Sequence, residues 1–257
     1  MSDETPITAP VWKVPLLCAI ALLMVLGMLR LGVWQLDRAD QKREIVAQLE
    51  LLSEQAAVPI VELFNGDESA GLRFRKVTLK GQYLQNTNFY VDNKVVNGQV
   101  GYQIFTPFQL EGGAPLVMVA RGWVSIGESR QNLPNVVTKS GQIILEGRLN
   151  TAPAKPPLWS EQYSVSDGDV WQYLPMLKVA GFLQAKVFPL VVELAPSDSD
   201  VADDTALVTK WPEVDDQQVA KHLGYAFQWF AMAVAFFIAC LILLLSILEE
   251  ALEESKF

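Results

Sequence analysis

The chain has 257 residues, 51% of them hydrophobic, and a formal net charge of -9. That acidic balance argues against a nucleic-acid binder, which needs a basic face over the phosphates, and no Lys/Arg run, Walker-type loop or dinucleotide fingerprint occurs. Two cysteines, Cys18 and Cys240, and a single histidine, His222, exclude a disulfide framework and argue against a zinc or copper site built from central residues.

Residues 1–13 form a polar, Pro-interrupted tail. Val14 to Leu29 carries no charge, and an arginine such as Arg30 can snorkel to the interface, so 14–33 is expected to span a membrane. Asp3 and Glu4 precede the run and no small-x-small cleavage site follows it, so the span is read as an uncleaved anchor with Trp34 at the interface. From Asp37 to Gln55, Leu36, Ala39, Ile45, Val46, Leu49 and Leu52 recur at roughly helical spacing. This predicts an amphipathic helix leaving the membrane and ending before Pro59, its charges either solvated or set against a partner or lipid.

The texture then becomes β. Alternating stretches at Phe74–Tyr83 and Asn88–Val96, a hairpin-type Asn97-Gly98, and further strands at Gly101–Leu110, Pro115–Val124 and Gln142–Leu149 predict one antiparallel sheet curling into a barrel or sandwich. Thr151–Pro157 is a Pro-rich break, a short helix is expected after Pro175 within Trp171–Gln184, and Val187–Leu194 is another strand. Pro196–Asp204 is an acidic loop, and Leu207–Trp211 is a candidate closing strand.

The second apolar block opens at Lys221-His222-Leu223-Gly224-Tyr225. No charge stands between Leu223 and Leu248, roughly 39 Å of helix at about 1.5 Å per residue, so 222–248 is an interfacial start followed by a span. Residues 249–257 are a short acidic tail. The expected fold class is a membrane-anchored α+β protein: N- and C-terminal transmembrane helices flanking an antiparallel β-rich, barrel- or sandwich-like soluble domain over 34–221.

His222, Tyr225 and Trp229 stand at i, i+3 and i+7, on one helix face that Phe236 and Cys240 continue. An imidazole above a stripe of flat apolar side chains suits a haem, with one axial nitrogen and an apolar wall; it equally suits an interfacial histidine capping the helix or bonding the soluble domain. A six-coordinate haem would need a methionine (Met24, Met28 or Met232), water or a partner's ligand opposite. Gln35 and Gln228, one near the end of each span, are expected to pack the two helices through their amides. Arg121-Gly122-Trp123 ends a strand, where the glycine permits a bulge or a close backbone approach. Arg75, Lys76 and Arg121 maintain the fold or meet acidic groups such as haem propionates. A triad would need a histidine beside Ser or Cys, and the paired carboxylates Asp203-Asp204 and Asp215-Asp216 lie in surface runs, so no enzyme is expected.

Five pieces in order resemble the surfeit locus protein one family of cytochrome c oxidase assembly factors. They are Leu31-Gly32-Val33-Trp34-Gln35-Leu36 with Arg38; Phe74-Arg75-Lys76-Val77-Thr78 with Gly81; and Asp92-Asn93-Lys94 with Gly98, Gly101-Tyr102 and Thr106-Pro107. The fourth and fifth are Val119-Ala120-Arg121-Gly122-Trp123-Val124 and the His222-Leu223-x-Tyr225-x-x-Gln228-Trp229 stretch. The resemblance implies an integral protein of the bacterial inner membrane, or the mitochondrial inner membrane if eukaryotic, with its domain in the periplasm or intermembrane space. It would assist haem a insertion into subunit I, with haem a held transiently through His222 and with subunit I, other assembly factors and haem a synthase as partners. The alternative is a cofactor-free scaffold that stabilises oxidase assembly intermediates. Charge alone points the other way on topology: Arg30, Arg38, Lys42, Arg43 and Lys221 flank the domain side against Lys13 and Lys256 on the tails. That rule is counted over short loops, and this loop is long, so the family's orientation is preferred.

Overall fold

The computed structural model describes residues 13–64, 69–113, 115–127, 130, 132–155, 166–195, 207–209, 211 and 216–254. It divides into two compact units, Met1–Ala47 with Val214–Phe257, and Gln48–Glu213.

Of three helices, α1 (Lys13–Ser53), α2 (Met176–Leu183) and α3 (Asp216–Glu254), the first unit is built on the two long ones, α1 and α3. Both α1 and α3 are long and apolar enough to cross a membrane. With 41 and 39 residues they are about 60 Å long, twice the roughly 30 Å hydrocarbon core. The expected span and the amphipathic helix that leaves it form one continuous helix, because no glycine or proline follows Gly32 until Pro59 and the chain stays helical through Arg30 and Asp37. Arg38 donates to Gln41 and Arg43 pairs with Asp40, both at i, i+3 on the exposed face. α3 likewise runs on through the acidic residues to Glu254.

Buried and half-buried residues on α1 fall at Ala21, Val25, Met28, Gly32, Gln35 and Ala39, alternating three and four apart. On α3 they fall at Val219, His222, Ala226, Trp229, Ala233, Phe236 and Cys240 with the same rhythm. That spacing is the seam of a helix pair of the coiled-coil kind, and its small residues let the backbones approach. Gly32 meets the Phe230 ring so closely that an added Cβ would stand 2.6 Å from it. Gln35 meets His222 while Gly32, earlier on α1, meets Phe230, later on α3, so the helices are antiparallel.

In the second unit a 9-stranded sheet has the order β1-β2-β6-β9-β5-β4-β3-β8-β7, and β2 also pairs with β4. The strands are β1 (Val58–Pro59), β2 (Lys76–Tyr83), β3 (Phe89–Val96), β4 (Gln99–Leu110), β5 (Leu116–Ser125), β6 (Ile143–Thr151), β7 (Ser166–Asp167), β8 (Val170–Trp171) and β9 (Val187–Leu194), with the helix α2 (Met176–Leu183) before β9. The extra pairing closes β2, β6, β9, β5 and β4 into a barrel. β4 is long enough to serve two sheets: Phe108–Leu110 complete the barrel against β2, while Gln99–Phe105 carry β3 and, beyond it, the small β8–β7 pair. The sheet is mixed, since β9 returns beside β5 in parallel after the β6 and α2 excursion, and β3–β8 and β1–β2 are also parallel.

Alternation sorts the side chains. Leu190, Val192 and Leu194 of β9 point into the barrel with Val77, Leu79, Phe108, Val119 and Leu149, whereas Val191 joins Phe89, Phe105, Met118 and Trp171 in a second core covered by Val179 of α2. β5 is buried on both faces and reads as a continuous apolar run for that reason. The Asn97-Gly98 turn has positive φ at both residues, as a type I′ hairpin requires. The acidic 196–204 loop and the 1–10 tail lie outside the described residues; of 207–211, Val208 forms one antiparallel bridge to Trp123.

Candidate functional site

The chain's one imidazole sits in the seam of the first unit. His222 Nδ1 lies 2.8 Å from Gln35 Oε1. Gln35 is 9% exposed, and Ala39 and Val219 are buried beside it in the same seam. An amide this deep between apolar helices needs a partner, and the imidazole supplies it. The carbonyl oxygen can only accept, so a neutral ring in this contact carries its hydrogen on Nδ1 and leaves the lone pair on Nε2. No polar partner for Nε2 occurs among the described residues.

The residues expected to share the His222 face divide. Trp229, Phe236 and Cys240 follow His222 down the seam, half-buried. Tyr225 stands off it and is 42% exposed. Gln228 is exposed as well and does not meet Gln35: the amide chosen to bridge the helices bonds the histidine instead. Spacing explains this, because Gln228 is six residues from His222, most of a half-turn out of the seam. Trp34 lies on the outer face of α1 with the Arg38 guanidinium over its ring at 5.9 Å.

Arg73, Arg75, Arg121, Arg130 and Arg148 of the second unit are engaged within it. Arg75 bonds Gln55, and its backbone bonds Leu149. Arg121 is the extra residue of a β-bulge, since Ile104 pairs with Gly122 but Phe105 with Ala120. The bulge turns its guanidinium inward, over the Tyr83 ring at 5.2 Å and onto the Val137 carbonyl at 2.8 Å. Gly122, at φ +151, lets the 207–208 backbone approach, an added Cβ meeting Val208 O at 3.2 Å. Trp123 donates its indole N–H to the Lys94 carbonyl at 2.9 Å. A polar chain, Arg73–Asn150–Glu193–Arg148, runs across β6 and β9 with the Glu193 carboxylate buried at its centre. At β3 the buried Asp92 pairs with Arg130.

Burial, and then the Asp92 charge, raises the Tyr102 phenol above its ordinary value. The Tyr90 phenol rises for the same first reason, with Asp169 adding to it. Desolvation lowers the Lys94 ammonium.

The SURF1 family pattern matches residues 22–234, most of the chain. The chain belongs to the SURF1 family. A SURF1-like protein of Rickettsia conorii is 25% identical over 81% of this chain and 82% of its own length, and one of Monosiga brevicollis is 22% identical over 79% and 78%. The yeast protein named cytochrome oxidase assembly protein SHY1 is 34% identical over 37% of this chain, a match spanning 24% of the length of that relative. The SURF1 match contains both spans' meeting point, from Gly32 and Gln35 on α1 to His222 and Trp229 on α3.

A haem fits the residues present in one respect and is limited in another. The open Nε2 is a suitable axial nitrogen, and Trp229 and Phe236 offer flat apolar surface along the same seam. A sulfur ligand opposite it is not supplied at that level. Met28 lies seven residues from Gln35, about 10 Å along α1, and Met24 and Met232 face outward. His222 is the one imidazole this chain could offer an iron.

Proposed function

We propose that this SURF1-family protein is an assembly factor for haem–copper cytochrome c oxidase, assisting haem a insertion into subunit I, with His222 as a transient axial ligand. The observation that carries the reading is the seam imidazole with Nδ1 engaged by Gln35 and Nε2 free of any described partner. The family membership and the name of the yeast relative support the oxidase context. Haem a would supply the iron and the macrocycle; this chain supplies one nitrogen, an apolar wall and a membrane address. A single protein ligand suits a haem that must be released, because a second strong ligand would slow its departure.

The test is purification of wild-type and His222→Ala protein from cells that synthesise haem a. Loss of the haem absorption on substitution is the expected result; full haem with an unchanged spectrum in His222→Ala would falsify the ligand assignment. A second reading is a cofactor-free scaffold for oxidase intermediates, and wild-type protein without haem from such cells would select it. Co-purification with subunit I, other assembly factors and haem a synthase tests the partners. We place the domain in the periplasm, or the intermembrane space in a mitochondrion, on the family resemblance. A C-terminal alkaline phosphatase fusion is then inactive, and an active fusion reverses the topology.

A further inference from the structure

We propose that Gln35 is the positioning residue for His222: by accepting the Nδ1 hydrogen it selects the tautomer and ring orientation in which Nε2 is ready to bind a metal centre. The proposal rests on the reading of His222 as a ligand, and its observable is separate from haem. Three features of the seam carry it. The contact is 2.8 Å long and joins residues 187 apart in the chain, so it belongs to the tertiary structure of the helix pair. The amide is nearly sealed between the helices, 9% exposed, so water does not replace it as acceptor. Gly32, three residues earlier on the same face, lets Phe230 pack against α1 and holds the helices close at this level.

The consequence follows from the chemistry of imidazole. A neutral ring has one hydrogen to place, and only the nitrogen without it can donate a lone pair to iron. A ring free in water favours the hydrogen on Nε2, the wrong nitrogen for a ligand approaching from that side. An acceptor at Nδ1 reverses the preference and raises the basicity of Nε2, as partners of metal-bound histidines generally do. Had Gln35 turned its NH2 to Nδ1, the hydrogen would sit on Nε2 and block ligation; the two amide orientations therefore predict opposite tautomers.

Because His222 is the only histidine, labelling with [15N]histidine gives one imidazole to observe in the full-length, detergent-solubilised, haem-free protein. At about pH 8.5, wild-type protein should show a pyrrole-type Nδ1 and a pyridine-type Nε2. Gln35→Leu, close in volume and suited to the seam, should shift weight to the Nε2–H form, and Gln35→Glu, which restores an acceptor, should return it. Titration with haem a should show binding weakened about 10- to 100-fold in Gln35→Leu and recovered in Gln35→Glu. A wild-type ring with its hydrogen on Nε2, or unchanged imidazole signals in Gln35→Leu, overturns the proposal. If His222→Ala retains haem while the nitrogen shifts behave as stated, the ligand assignment falls and the tautomer selection by Gln35 stands.

Discussion

Gly81 is where the barrel closes, and replacing it by alanine should open it. The residue pairs on both sides, with Ile143 of β6 and Leu110 of β4. A Cβ there would enter the Gln109 carbonyl oxygen far inside van der Waals contact and stand 2.8 Å from the Phe108 ring. The oxygen belongs to the backbone of a paired strand, so relief requires β2 and β4 to part by about 1 Å or more. That movement breaks the flanking bonds from Glu111 N to Lys80 O and from Leu84 N to Pro107 O, each 2.9 Å long. Two backbone hydrogen bonds at about 1 kcal/mol each, with about 1–3 kcal/mol for overpacking, give a cost of about 3–5 kcal/mol. For a domain of this size that lowers Tm by about 10 °C. The readout is near-UV circular dichroism of the full-length protein in detergent, because Trp123 and Trp171 report on the β unit while the spans hold the far-UV signal. Gly71→Ala, which meets nothing within 4 Å, is the control. A Gly81→Ala Tm within about 2 °C of wild type would refute the closure argument.

Two further outcomes concern buried charge. Arg148→Met leaves the Glu193 carboxylate, 7% exposed, without its 2.8 Å partner, so it should destabilise by about 3 kcal/mol; adding Glu193→Gln should recover part of the loss in a double-mutant cycle read by denaturant melts. Tyr90 and Tyr102 hold phenol pKa values above the ordinary 10.0 in the folded state. A raised folded value means stability that is complete below pH 10 and lost as pH climbs through the folded values, so melts from pH 9 to 12 should show Tm falling above pH 10, less steeply in Tyr102→Phe. An equal fall in Tyr102→Phe removes that residue from the account.

Where a signal was local, it was legible in the sequence. Period-two alternation marked most of the barrel strands, Asn97-Gly98 marked the hairpin, and the Arg121-Gly122-Trp123 run announced the bulge that turns Arg121 inward. What depended on contacts between distant segments was not. The parallel return of β9 beside β5 leaves no mark in either strand, since both are simply apolar, and β7 and β8 are two residues each, too short for any pattern. The continuous α1 hides because its apolar half and its charged half look like two elements, although nothing between them breaks a helix. Gln228 was a reasonable partner for Gln35 as one amide facing another. The better signal was the seven-residue recurrence Val219, Ala226, Ala233, which marks the seam and places His222 on it.

The sequence separation of 187 between Gln35 and His222 also sets an order of events. At about 5–20 residues per second, synthesis leaves α1 in place for roughly 10–40 s before its partner exists. Through that interval the Gln35 amide faces lipid, headgroups or another protein, and the β unit is complete before the seam can form. Formation of the Gln35–His222 contact therefore certifies that the intervening β unit has been made and that the start of the second helix has arrived. A cofactor site built on that contact cannot open before the β unit has been made.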